Sequence, residues 1–374
     1  AGSEYTYSIG SGERQAIAFD PNTANKFVVI FVDAGNSSYS MAAVGTVSGT
    51  SISFGTPVAF KAGPTTYQNL AFDPNTTGKL VIVFKDTNNA SYGTAVVGTI
   101  SGTSISFGNL TVFMSDSTDY MQVEYEPNTA NKCIIVYKAS SEGSSIVGTV
   151  SGTSISFGSA TLFNNGNVKW PSISFDLNTA NKFALAFQDD SNSDQGTAVV
   201  GTVSGTSISY GSEYIFNTSY QAYISIAFDT GTANKFVVNY RNGGNSHYGT
   251  AIVGTLSGTS ISYGTSVVYN SANSSYGTVK SNSGKVVIVY KDEGNSGYPT
   301  AVVGTVSGTA ISFGSEQVID SIGSHYTAFS FDPNTAGKFV ATYRPADNSN
   351  KGTAVICQFS TLTTNLTATN FVGI

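Results

Sequence analysis

The feature that most constrains this chain is a phrase that keeps returning. Residues 45–55 read GTVSGTSISFG, and close copies start at Gly98, Gly148, Gly201, Gly254 and Gly304, at spacings of 53, 50, 53, 53 and 50 residues. A second phrase precedes each copy. It reads FDPNTANK at 19–26, FDPNTTGK at 72–79, YEPNTANK at 125–132, FDLNTANK at 175–182, FDTGTANK at 228–235 and FDPNTAGK at 331–338, with a shortened KSNSGK at 280–285. Seven turn phrases therefore face six clear copies of GTxSGT, and the degenerate ICQFSTL at 356–362 stands as the seventh partner. A period of this size means an array of one supersecondary unit, with the core built between neighbouring copies.

Each unit reads as four strands. Strand a is short and ends on an aromatic residue, as at 16–19 or 327–331. The Asp-Pro-Asn-Thr turn follows, where Pro presets φ and Asp and Asn bond nearby backbone. Strand b is a nearly unbroken apolar run (27–32, 80–84, 133–137, 286–290), which predicts burial on both faces. After a polar loop comes strand c (42–47), then the Ser48-Gly49-Thr50 hairpin turn and strand d (51–60). No stretch carries a helical period. Seven such meanders predict one all-β domain, a seven-bladed β-propeller of four-stranded antiparallel blades, with approximate blades 14–60, 67–113, 120–163, 170–216, 223–269, 276–319 and 326–374 plus 3–7. The ends support closure. GSEYTY at 2–7 nearly duplicates GSEYIF at 211–216, the second half of a strand d. The amino-terminal strand is thus expected to pair into the last blade and remove an open edge.

Composition narrows the function. Charged residues make up only 11% of the chain, and 17 basic against 23 acidic side chains give a net charge of −6, which argues against a sequence-independent nucleic-acid binder. No apolar stretch reaches membrane-spanning length and no signal peptide is visible. Because the chain begins inside the repeat, a removed leader or preceding domain is compatible with it. Cys133 and Cys357 fall in units that are not adjacent, so buried free thiols are expected. Asp189, Asp190 and Asp194 offer oxygen ligands for Ca²⁺ but lack the EF-hand pattern, so solvated charge is expected and no cofactor is assigned.

In an up-and-down meander the a–b and c–d turns share one end and the b–c and d–a loops the other. The first end repeats with little change, as structural turns require. The second end varies, and a specific site is expected there. Five residues before the aromatic end of strand a stand Arg14, Tyr67, Tyr120, Trp170, Tyr223 and Tyr326, with Tyr276 nearby in the shortened sixth unit. If strand a lines a central channel, these residues ring its mouth. They would serve as a stacking platform for sugar rings or other flat ligands, or simply as lids packed over the blade ends. A second series follows strand b: Val32, Lys85, Lys138, Gln188, Arg241, Lys291 and Arg344. Arg241 and Arg344 would supply charge to an acidic ligand, against the blander reading of local pairs with neighbouring Asp.

Signs of catalysis are few. Only His247 and His325 are present, there is no nucleophile elbow, and the S-x-D-x-G-x-x-W box of sialidase propellers is missing. The turn lysines, such as Lys26 and Lys79, read as structural, since each follows an acidic turn residue in most units. The expectation is a protein that is not an enzyme, although paired carboxylates for glycan cleavage are defined by space rather than sequence.

The phrases FDPNTxxK, GTAVVGT and SGTSISFG together resemble repeats of virion-associated proteins, in the tail, the fibre or as capsid decoration, of marine bacteriophages and uncultured viruses. The resemblance spans residue 19 to about residue 362, and it shares neither WD40 nor kelch signatures. It implies a virion or extracellular location, partners among other virion proteins or flanking modules, and a role in host attachment. The ending 365–374, NLTATNFVGI, would lead into a further module. The resulting expectation is a binding module for a cell-surface glycan, the alternatives being a glycan-cleaving enzyme and a structural spacer or decoration protein.

Overall fold

The structure, a computed structural model, describes residues 4–347 and 351–359. The expected linker at 365–374 and residues 2 and 3 of the amino-terminal segment lie outside the described residues. Within them the chain is all-β, its strands paired antiparallel, with no α-helix and one 3₁₀ turn at Asp190–Asn192.

Strand b is the buried spine of each unit. Lys26–Asp33, Lys79–Asp86 and Lys182–Asp189 are buried along nearly their whole length. Buried apolar side chains cluster between successive units. Val28, Ile30 and Val44 meet Leu70, Phe72, Leu80, Ile82 and Phe84. A cluster of the same kind joins the last unit to the first, bringing Val340, Ala354 and Ile356 against Tyr7, Ile17, Phe19 and Phe27. Each inner strand abuts the next, from Tyr5–Phe19 through Thr65–Phe72 onward, and Ser324–Phe331 abuts Tyr5–Phe19.

The amino-terminal segment pairs with Lys351–Gln358, the third strand of the last unit: Tyr5 faces Ala354 and Thr6 faces Thr353. The register copies unit four, where Tyr214 faces Ala198 and Ile215 faces Thr197. The Tyr7 ring covers Gly352 as Phe216 covers Gly196. Sequence duplication here means structural duplication. A segment that imitates a strand d occupies the place of a strand d.

Two expectations about strands are corrected. Strand d is not continuous over 51–60. It breaks into Ser51–Phe54 and Val58–Lys61 in the first unit, and among the described residues only unit four keeps one strand, Ser207–Asn217. The break falls at Gly55, where an added Cβ would collide with the Thr103 carbonyl of the next unit; Gly108, Gly158 and Gly264 meet Thr153, Thr206 and Thr309 in the same way. The last glycine of SGTSISFG therefore permits a close approach between units. Strand a is also longer than expected, because Tyr5–Phe19, Thr111–Tyr125 and Val267–Asn282 each run from the outer edge of one unit to the inner position of the next.

The turn face joins the units with polar contacts. Buried Asp73 accepts from Asn75 N–H in its own turn (2.9 Å) and from Asn131 N–H in the next unit (2.8 Å), and Asp20 does the same with Asn22 and Gly78. The turn lysines do not pair with these acids. Lys26 and Lys79 donate to the Thr46 and Thr99 hydroxyls of their own strand c at 2.7 and 2.8 Å, and Lys79 also donates to the Gly152 carbonyl of the next unit at 2.7 Å. The carboxylates are already used by turn amides, so the ammonium finds uncharged oxygens. Cys133 and Cys357 are buried free thiols.

Candidate binding site

The site grows from a bulge that every unit repeats. Strand a pairs regularly with strand b up to one residue, and then the register shifts: between Thr66 and Asn69, Asp119 and Gln122, Lys169 and Ser172, and at the matching places elsewhere. A bulge re-aims the side chain it carries. The residues in these bulges are Arg14, Tyr67, Tyr120, Trp170, Tyr223, Tyr276 and Tyr326, and every one has φ between +50° and +55°. Bulky side chains seldom adopt this left-handed region. Tyr276 is thus one of the series and not merely near it; its place was hidden because Ser281 stands where the other units end strand a on Phe or Tyr.

The bulges bring the aromatic rings into one continuous arc. Centroid separations are 4.9 Å from Tyr67 to Tyr120, 4.9 Å to Trp170, 4.7 Å to Tyr223, 5.0 Å to Tyr276 and 5.6 Å to Tyr326, with planes tilted by 48° to 55°. Arg14 spans the interval between Tyr326 and Tyr67. Its guanidinium donates to the Thr65 carbonyl (3.2 Å), and Gln15 donates to the Tyr326 carbonyl (2.8 Å). Gln68 and Thr327 hold the carbonyls of Arg14 and Tyr276 in the same fashion. The rings are half-buried, with Tyr67 38% exposed. Burial first, then Tyr120 and Asp119, pushes the Tyr67 phenol up to about 12, while Arg14 opposes; burial pushes Tyr276 up to about 12 as well. Both phenols stay neutral at ordinary pH.

The second series lies directly against the first. Lys85, Lys138, Gln188, Arg241, Lys291 and Arg344 pair across strands with the residue just before each bulge. Two of the lysines form ion pairs: Lys85 meets Asp119 at 2.7 Å and Lys291 meets Glu293 at 3.1 Å. Arg241 lies 4.9 Å from the centroid of Tyr223 and donates to the Tyr220 hydroxyl, and Arg344 lies 5.4 Å from the centroid of Tyr326. Each arginine therefore sits on an aromatic face of the arc. Units five to seven carry positive charge there. His325, absent from the candidate residues, is held below its usual range by burial first and then by Lys291 and Arg344.

Beside Trp170, Lys169 meets Asp190 at 2.8 Å, which raises the lysine, and Asn167 also donates to Asp190. Asp189 caps the 3₁₀ turn through Ser191 N–H, and Asp194 accepts from Gln188. These carboxylates are engaged by the protein's own donors. Below the arc, the inner strands enclose a cavity of about 640 Å³ whose lining includes Trp170, Tyr223 and Tyr276.

No protein-family model and no curated protein matches the sequence. Among solved structures, the chain is similar to the BP39L lectin from Burkholderia pseudomallei, at 9% identity and a TM-score of 0.66 over 94% of this chain and 97% of that one. It is also similar to Sqt1 of Saccharomyces cerevisiae, at 9% identity and a TM-score of 0.55 over 96% and 98%. Likeness at such identity establishes fold alone, and the fold it establishes is all-β of the β-propeller type. Neither neighbour lends support to the viral resemblance.

Proposed function

We propose that the chain closes into a ring of seven four-stranded blades and binds a glycan, without cleaving it, on the aromatic arc. Ring closure is supported by the amino-terminal pairing with Lys351–Gln358 and by the apolar cluster joining the last unit to the first. The observation that carries the binding reading is the left-handed backbone under the arc. In most a–b turns positive φ falls on residues suited to it, Asn25, Asn131, Asn181, Asn234, Gly78 and Gly337, and elsewhere in turns mainly on small or polar residues such as Ser37, Ala90 and Ser246. At the bulges it places Tyr and Trp instead. Strain kept at equivalent positions under large, half-exposed rings points to a use for the rings themselves. Stacked aromatics beside amides and hydroxyls suit the apolar faces and hydroxyl rims of sugars. A lectin among the structural neighbours agrees with this reading. Attachment of a particle or cell to a glycan-bearing surface is the setting we infer from the sequence resemblance.

The test is a glycan array combined with an assay for released reducing ends. Binding without release is expected; release of oligosaccharide would establish an enzyme, and an empty array would favour a spacer. Trp170→Asn sharpens the test. It relieves the left-handed strain while removing two aromatic contacts of about 0.5–1.5 kcal/mol each, so the melting temperature should move little. Affinity should fall roughly thirtyfold, the usual loss when an aromatic anchor worth about 2 kcal/mol is removed. A large drop in melting temperature with unchanged affinity would make the arc a structural lid.

A further inference from the structure

The cavity below the arc holds a second constellation. Its walls are the inner strands, and among the residues lining it only Glu124 and Lys280 are charged. They occupy the same position in their units: Ala18, Ala71, Glu124, Ser174, Ala227, Lys280 and Ser330 all stand four residues beyond the bulge residue. At strand rise that is roughly 13 Å from the aromatic arc, a separate level of the cavity. Unit three and unit six are also as far apart as this order of inner strands allows, since Val168–Phe175 and Gln221–Phe228 intervene on one side and Ser324–Phe331, Tyr5–Phe19 and Thr65–Phe72 on the other.

This position has a structural use in some units. Ser174 accepts from Phe228 N–H at 3.1 Å and Ser330 from Phe19 N–H at 3.2 Å, each linking one inner strand to the next. Glu124 joins in with one oxygen, accepting from Phe175 N–H at 3.4 Å. Alanine at Ala18, Ala71 and Ala227 shows that the fold also forms without such a link. Neither a carboxylate nor an ammonium is needed there for folding. The Lys280 ammonium has no hydrogen bond and no ion pair within 4 Å among the described residues, and its one electrostatic partner is Glu124. Two opposite charges thus line one cavity without closing on each other. Burial pushes Glu124 up to about 7, against the pull of Lys280, and pushes Lys280 down.

We propose that this level of the cavity binds a small zwitterion, a free amino acid or short peptide, whose ammonium pairs with Glu124 and whose carboxylate pairs with Lys280. A ligand with both charges satisfies both groups at once, which an amine or an acid alone does not do. A volume of about 640 Å³ admits such molecules with water. Binding draws Glu124 to its ionised form, so cation capture at that end releases a proton from the fraction that was protonated.

The experiment is a titration of the whole chain with glycine, diglycine and triglycine, followed by calorimetry and thermal shift, with propylamine and propionate as single-charge controls. The repeats themselves supply the variants: Glu124→Ser copies units four and seven, and Lys280→Ala copies units one, two and five. At least one of the three zwitterions should bind and raise the melting temperature, and each variant should weaken that binding about tenfold or more. Calorimetry in buffers of different ionisation heat should show proton release that Glu124→Ser removes. The proposal is overturned if none of the three binds at about 10 mM, if the single-charge controls bind equally, or if both variants retain full binding. Because the arc is untouched by either substitution, glycan binding and zwitterion binding succeed or fail separately.

Discussion

Truncating Tyr7 tests whether the amino-terminal strand completes the last unit. The side chain is 4% exposed, and its ring lies 5.1 Å from Phe31 and 5.6 Å from Phe54, within the cluster that joins the last unit to the first. Removing a buried aromatic ring to alanine costs about 3–5 kcal/mol. A chain of 374 residues unfolding as one unit has an unfolding entropy of about 0.8 kcal/mol per kelvin, so Tyr7→Ala should lower the melting temperature by about 4–6 °C. Phe216→Ala, the same position within unit four, gives the yardstick. Tyr7→Phe should act in the opposite direction. The Tyr7 hydroxyl is buried with no hydrogen-bond partner, and removing an unsatisfied polar group recovers about 1–3 kcal/mol, or about 1–4 °C. Differential scanning calorimetry measures all three. If Tyr7→Ala melts within about 1 °C of the parent while Phe216→Ala falls by the full amount, the amino-terminal strand does not complete the unit and the closure argument is wrong.

Other substitutions probe the remaining contacts. Burial first, and then Asp320, raises Glu4 to about 7. A folded value above the unfolded one means its stabilising effect is present below about 4.5 and lost as pH rises through about 7, so Glu4→Gln should flatten the fall in melting temperature between pH 5 and 8, and identical pH profiles would refute this. Gly108→Ala should destabilise more than Gly102→Ala although only Gly102 has positive φ, because a Cβ at Gly108 meets the Thr153 carbonyl and one at Gly102 meets open space; chemical denaturation ranks the two. Lys79→Ala and Lys132→Ala, on the turn face, should leave glycan affinity unchanged, and loss of binding there would move the site to the opposite end.

Much of this architecture was legible because each strand b is an apolar run that must be buried on both faces, and because the turn phrases set the period. The duplicate GSEYTY pointed to the last unit as the partner of the amino-terminal strand, and the structure supplies the register. The arc was legible as a spacing, but its geometry was not. Tyrosine and tryptophan are poor indicators of left-handed backbone, so nothing in the residues at Tyr67 or Trp170 announces a bulge. Tyr276 was blurred by the loss of an aromatic at Ser281. The break in strand d was missed because Gly55 reads equally as a strand end or a turn, and its reason is a carbonyl in the following unit. Partners such as Thr46 for Lys26 lie 20 residues away across a strand pair, where sequence proximity gives no sign of them.

A chain of near-identical units is its own substitution series. At each position the units show what the fold tolerates, so a departure that the fold does not require must be explained by something else. Outside unit six the turn phrase scarcely departs, and its carboxylates are consumed in contacts within and between units. The bulge position also scarcely varies, but it repeats a choice that is unfavourable for the backbone, which places the reason above the backbone, in the rings. Four residues along, the fold accepts alanine or serine, yet unit three carries Glu124 and unit six carries Lys280. One level of the cavity is thus lined by repeated aromatics and another by a single pair of opposite charges. Repetition suits a ligand whose own structure repeats, such as a polymer of sugars. A unique pair suits a ligand with two distinct ends. The two levels therefore call for different ligands, and variants confined to one level should leave the other ligand's affinity unchanged.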